Sequence, residues 1–126
     1  MKLDTIHHVA IIVSDYAVSR HFYVELLGLP VLRETYREER GDWKLDLKAG
    51  DLELEIFSGK NNPPRPNYPE ALGLRHLAFR VPDVEAAARE LNALGIETEP
   101  IRSDPIGGGS MTFFKDPDGL PLEIHD

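Results

Sequence analysis

The chain is predicted to adopt an α+β fold of two β-α-β-β-β modules, and three features of its 126 residues predict it. His8-Val-Ala-Ile-Ile-Val-Ser-Asp15 returns as His76-Leu-Ala-Phe-Arg-Val-Pro-Asp83, and Leu54-Glu55-Ile56 returns as Leu122-Glu123-Ile124, both at a shift of 68 positions. Short β-branched or alternating apolar runs mark strands in each half. One helical stretch per half lies between an Asp and a Gly, the residue types that start and stop helices.

In the first module, residues 6–13 read as a buried strand rich in Ile and Val. Asp15 stands at the N-cap, where a carboxylate accepts from the free N–H groups of the first turn. Tyr16 to Leu27 follows, with Val18, Phe22 and Leu26 at helical spacing and Gly28 as the stop. Strands are expected over 31–38, 43–49 and 52–58, the last two joined by a turn at Ala49-Gly50-Asp51.

The second module repeats this order. Strand 75–81 leads to Asp83 as N-cap, a helix from Val84 to Leu94, and Gly95 as the stop. Strands are expected over 96–102, 110–115 and 120–125, with Asp116-Pro-Asp-Gly119 as the turn between the last two. Residues 59–73 hold Pro63, Pro64, Pro66 and Pro69, a stiff linker joining modules of about 1–58 and 74–126 into a single domain, 1–126. Ile106-Gly-Gly-Gly-Ser110 reads either as a lid beside a site or as a plain surface loop.

Composition narrows the function classes. The chain has no cysteine, which excludes thiolate chemistry and leaves only nitrogen and oxygen ligands for any metal. A net charge of −8 without a basic stripe argues against nucleic acid or an anionic membrane as partner and leaves a small molecule. No apolar run approaches the roughly 20 residues that span a bilayer. Met-Lys-Leu-Asp-Thr has no apolar leader region, so the expected location is cytoplasmic.

Strand alternation places the chemistry-bearing residues. His8 shares a face with Ile6, Ala10 and Ile12, Glu55 with Glu53 and Phe57, His76 with Ala78 and Arg80, and Glu123 with Pro121 and His125. Helices are expected on the apolar outer faces, with a curved mixed sheet holding a central site on its polar side. A lone histidine in an apolar strand is usually a hydrogen-bonded core residue, and a lone glutamate usually a solvated one. Here both types recur at one offset while most surrounding polar positions do not: under the same shift Lys48 meets Asp116, Ser14 meets Pro82 and Glu53 meets Pro121. Packing has no use for a repeated carboxylate. Two imidazoles and two carboxylates converging across a pseudo-twofold axis suit one divalent cation, and by donor type this is Ni, Zn, Co, Mn or Fe.

His8-Val-Ala-Ile with Asp15 and Phe22-Tyr23, Leu54-Glu55-Ile56, Arg75-His76-Leu-Ala-Phe, and Asp116-Pro-Asp-Gly119 with Leu122-Glu123-Ile124 resemble the vicinal oxygen chelate superfamily. Its members include glyoxalase I, fosfomycin-resistance proteins, bleomycin-binding proteins, methylmalonyl-CoA epimerase and extradiol dioxygenases. The resemblance spans essentially the whole chain, implies paired βαβββ modules, and carries metal ligation onto His8, Glu55, His76 and Glu123. Likeness to glyoxalase I implies a lactoylglutathione lyase-like lyase or isomerase. It would act through a metal-bound enediolate on an α-hydroxycarbonyl or a thiol adduct such as a hemithioacetal, with Glu123 as catalytic base. Glutathione-dependent members carry Arg and Asn where this chain has Ile12 and Gly59. Arg33, Arg37, Lys44 and Arg80 are the candidates for binding substrate. The alternatives are a fosfomycin-type resistance transferase, a ring-cleaving dioxygenase and a drug-sequestering binding protein. The first two resemble members with one carboxylate ligand, and the last resembles members without the metal set.

His7 alternates to the face opposite His8 and is expected to be buried against a helix. His21 is expected near solvent, and His125 either as a hydrogen-bond partner in the site or as terminal surface. A homodimer is expected, with the site lying within one chain or shared between two.

Overall fold

Alternation along β1 (His8–Val13) buries Ile11 and Val13 and leaves His8, Ala10 and Ile12 on the open face. The computed structural model describes residues 1–126. After β1 come α1 (Tyr16–Arg20), a π-helical stretch (His21–Leu26), β2 (Val31–Arg37), β3 (Asp42–Ala49) and β4 (Leu52–Ser58). The strands form a mixed four-stranded sheet in the order β1-β4-β3-β2, in which β1 and β4 run parallel and the other pairs antiparallel. Leu45, Leu47, Leu54 and Ile56 join Ile11 and Val13 in the core, each worth about 1.5–3 kcal/mol of apolar burial.

The second sheet has the same construction. β5 (Leu77–Arg80), α2 (Val84–Ala93), β6 (Arg102–Ser103), β7 (Ser110–Lys115) and β8 (Pro121–His125) give the order β5-β8-β7-β6, with β5 and β8 parallel. α2 buries Val84, Ala88 and Leu91, spaced to form one stripe, and packs against β7 and β8. The two compact units are Met1–Pro63 and Pro64–Asp126, so the boundary falls inside the proline-rich stretch. No helix is long and apolar enough to cross a membrane.

Both helices start as the sequence predicts. The Asp15 carboxylate accepts from the Val18 amide at 3.1 Å, and Asp83 accepts from Ala86 at 2.9 Å. Gly28 and Gly95 take positive φ (74° and 81°) just past the helix ends. The first helix is not α-helical throughout, however. Beyond Arg20 it widens, and the Leu27 amide donates to the Phe22 carbonyl five residues back, at 2.9 Å. The wider winding brings two consecutive aromatics, Phe22 and Tyr23, into the core, their rings edge-to-face at 5.0 Å.

The strand expected over 96–102 shrinks to Arg102–Ser103. Pro100 has no N–H to give a ladder. Thr98 is drawn off by Asn92, whose side chain accepts from the Thr98 amide at 3.2 Å and donates to its hydroxyl at 3.1 Å. The glycine loop is also less free than its composition suggests: Asp104 accepts from the Ile106 and Gly107 amides, both at 2.9 Å, and Asp126 from Ser110 at 2.8 Å.

Asp83→Ala removes the cap of α2 and should cost about 1 kcal/mol. A thermal midpoint lowered by roughly 3–5 °C in a melting curve checks it.

Candidate metal centre

In the parallel pair β1/β4, Ala10 is the register partner of Glu55; in β5/β8, Ala78 is the partner of Glu123. Each histidine lies two residues before that alanine, on the same face, so each imidazole meets its carboxylate diagonally over a methyl group. His8 Nε2 lies 3.5 Å from Glu55 Oε2, and His76 Nε2 lies 2.9 Å from Glu123 Oε2. Neighbouring ligands each about 2.1 Å from one ion are about 3.0 Å apart; the His76–Glu123 pair has that spacing and the His8–Glu55 pair is slightly wider. Each pair is complete within its own unit.

The turns hold the glutamate strands in place. Buried Asp116 accepts from the Asp118 and Leu120 amides, both at 2.9 Å, and Gly119 takes a φ of 81° to close the turn into β8. Asn67 donates to the Gly119 carbonyl at 2.9 Å. At the end of β4, the Gly59 amide donates to the Val13 carbonyl at 2.7 Å. A Cβ at residue 59 would fall 2.9 Å from that oxygen and 2.7 Å from Asn62 Oδ1, so the position has no room for a side chain.

The two carboxylates have different surroundings. Glu55 lies among charges: Lys44 Nζ donates to its Oε1 at 2.9 Å, and its ligand-type oxygens gather with those of Asp46 and Glu53, all within 4.8 Å of one another. These three carboxylates are the one group besides the His–Glu pairs with the donor chemistry for a cation, and Asp46 was not foreseen. The alternation of Lys44, Asp46 and Lys48 along β3 was the available signal. The triad already has counter-charges. Arg33 contacts Asp46 at 3.3 Å and Glu53 at 2.6 Å, and Lys44 bridges Asp46 and Glu55. Glu123 instead lies beside apolar groups: its register partner across β7 is Phe113, whose ring meets His76 edge-on at 5.1 Å.

Of the substrate-binding candidates, Arg33, Arg37 and Lys44 are engaged by carboxylates of their own sheet, Arg37 through a two-pronged contact with Asp42 at 2.7 Å. Hydrogen bonding to Glu55 and then Asp46 raises the Lys44 pKa, so its charge is secure at neutral pH. Arg80 is exposed on the face of Ala78. His7 is not buried as expected. The ladder begins at His8, so His7 precedes the covered face; it is exposed, with its Nδ1 2.8 Å from His8 Nδ1. His21 is exposed, as expected. His125 contacts the Asp126 carbonyl at 2.7 Å and Asp104 at 3.4 Å, tying the end of β8 to the glycine loop.

The sequence profile of the Glyoxalase/Bleomycin resistance protein/Dioxygenase superfamily matches residues 5–124. The chain belongs to that superfamily. Its relatives within it include the uncharacterized protein YwkD of Bacillus subtilis, 56% identical over all of this chain and 99% of that one. The crystal structure of a glyoxalase family protein from Enterococcus faecalis matches at a TM-score of 0.92 and 59% identity, covering all of both chains. A 2-epi-5-epi-valiolone epimerase from an Actinomyces species is 32% identical over 94% of this chain and 77% of its own length. Probable lactoylglutathione lyases of Vibrio parahaemolyticus and Vibrio cholerae are more distant, each 28% identical over 98% of this chain and 91% of theirs.

The loop clamp of this glyoxalase-superfamily chain sets a pH window. The Ile106 and then the Gly107 amide, followed by His125, hold the Asp104 carboxyl below its usual range. The Asp126 carbonyl, then Asp104, hold the His125 imidazole above its usual range. A lowered carboxyl contributes above its unfolded value of about 3.9, and the contribution is lost as pH falls through the folded value. A raised imidazole contributes below about 6.5, and its contribution is lost as pH rises through its folded value. Protection of the Ile106 and Gly107 amides, measured as the exchange rate relative to the intrinsic rate at the same pH, should therefore be greatest between about pH 4 and 6.5 and fall on acidification.

Proposed function

We propose that this protein is a divalent-metal-dependent lyase or isomerase of glyoxalase type, which moves a proton between neighbouring carbons of an α-hydroxycarbonyl or thiol-adduct substrate. His8 with Glu55 and His76 with Glu123 would supply two ligands each to one cation. The observation that carries this reading is the identical diagonal His–Glu pairing in two repeated sheets, at separations of 3.5 and 2.9 Å. Two imidazoles and two carboxylates form a nitrogen–oxygen set that would suit Ni, Zn, Co, Mn or Fe. A bound cation of this kind would supply Lewis-acid stabilisation of the developing enediolate charge, an effect of several kcal/mol.

The chain's own groups supply the proton transfer. Glu123 takes the proton from the carbon that bears the hydroxyl and returns it to the adjacent carbonyl carbon, while the hydroxyl proton passes to the former carbonyl oxygen by way of the same carboxylate or solvent. With both protons relocated the atoms balance and no external oxidant is needed. His76 orients the carboxylate, and Phe113, its register partner across the ladder, packs edge-on against the His76 ring. The superfamily membership, the lactoylglutathione lyases among the distant relatives and the epimerase at 32% identity support chemistry at a carbon next to a carbonyl. Ile12 and Phe57 are register partners at one end of the face that carries His8 and Glu55, with the Arg37 guanidinium 4.7 Å over the Phe57 ring.

Glu123→Gln should retain the metal and lose roughly 10²- to 10⁴-fold in turnover of the methylglyoxal–glutathione hemithioacetal or of a simple α-hydroxyketone. Turnover within twofold of the unaltered enzyme, with metal bound, would rule out Glu123 as the base. Replacing His8 and His76 together with Ala should abolish metal uptake, measured by elemental analysis on protein purified without an affinity tag.

A further inference from the structure

The repeat makes Glu55 and Glu123 equivalent in sequence, yet their neighbours make them unequal. Both oxygens of Glu55 are engaged: Lys44 Nζ donates to Oε1 at 2.9 Å and His8 Nε2 lies 3.5 Å from Oε2. Lys44 is anchored in turn. It donates to Asp46 at 2.9 Å, and its Nζ lies 5.8 Å from the centre of the Phe57 ring. Asp46, only 2% exposed, is held further by Arg33.

The register identifies the counterparts in the second sheet. Across β3/β4, Asp46 faces Glu55 and Lys44 faces Phe57; across β7/β8, Phe113 faces Glu123 and Met111 faces His125. Lysine and aspartate are thus replaced by methionine and phenylalanine, neither of which donates a hydrogen bond to a carboxylate. Glu123 has His76 on Oε2 at 2.9 Å and no cation on Oε1.

We propose that Lys44 is a positioning residue that pins Glu55 as a fixed metal ligand, leaving Glu123 as the carboxylate free to carry the proton. The inference rests on the metal-dependent reading above. An ammonium on Oε1 occupies the lone pairs that an incoming proton needs and stops the side chain from rotating off its ligand position. Hydrogen-bond partners of metal ligands act in this way in general, and their loss typically weakens metal binding 10- to 100-fold. Around Glu123, with Phe113 and Met111 on β7 and the imidazoles of His76 and His125 nearby, no ammonium imposes such a restraint, so the division of labour is built from one lysine on β3 and its absence on β7.

The test uses the full chain. In metal-free protein, the Lys44 ammonium should give a slowly exchanging nitrogen-15 NMR signal that Glu55→Gln removes; its absence overturns the clamp itself. Calorimetric titration with Ni²⁺ should show affinity lowered about 10- to 100-fold in Lys44→Met and largely restored in Lys44→Arg. Unchanged affinity in Lys44→Met, or a second ion bound per chain, overturns the role and leaves Lys44 as a counter-charge for the acidic triad. A wild-type chain that binds neither Ni²⁺ nor Zn²⁺ overturns the metal reading and the positioning role together. If Lys44→Met does not fold, the reciprocal change serves: Met111→Lys should restrain Glu123 and lower turnover at least tenfold while metal affinity is kept. Unchanged turnover in Met111→Lys sinks the proposal.

Discussion

Parallel pairing of β1 with β4, repeated between β5 and β8, is the constraint on which the site depends. A parallel ladder sets two strands side by side in a fixed stagger, and that stagger makes Ala10 and Ala78 the partners of the two glutamates. The histidine two residues earlier then reaches the carboxylate across a methyl group rather than around a bulky side chain. A slip of one strand by one residue would leave the imidazole and the carboxylate on opposite faces of the sheet. The core guards against that slip. Ile11, Val13, Leu54 and Ile56 occupy the alternate positions of the same strands, and moving them into water would cost several kcal/mol.

Duplication supplies symmetry, and divergence of the third strand breaks it. β3 brings Lys44 and Asp46 to the ligand-bearing face, whereas β7 brings Met111 and Phe113. The first half is therefore charged and cross-linked, with Arg33, Lys44 and three carboxylates linked by contacts of 2.6 to 3.3 Å. In the second half Glu123 has Phe113 across the ladder and His76 at 2.9 Å, and no lysine in the place of Lys44. Under the proposed metal-dependent reading, the cation needs held ligands while the proton transfer needs a carboxylate with few competing partners. Two copies of one module can meet both demands only if their surroundings diverge.

Much of the fold was legible because its signals are local. Asp15 and Asp83 as caps, Gly28 and Gly95 as stops, and period-two alternation each depend on a few consecutive residues. The failures lie where distant or competing groups intervene. Asn92 and Pro100 together dissolve most of a strand that periodicity alone supports. The π-helical widening that admits Phe22 and Tyr23 side by side answers to core packing and has no local signature. His7 alternates toward the covered face, but the ladder starts one residue too late to place it there.

The amino-acid sequence by itself determined the repeat, the order of elements and the identity of the two histidines and two glutamates, because a duplicated spacing survives in the text whatever the strands pair with. Only the tertiary structure decided what surrounds them. Arg33, Arg37 and Lys44 look like free cations along the chain, and they become partners of Asp42, Asp46, Glu53 and Glu55 once β2, β3 and β4 lie side by side. Lateral register is set by the packing of whole strands, so no short stretch of residues encodes it.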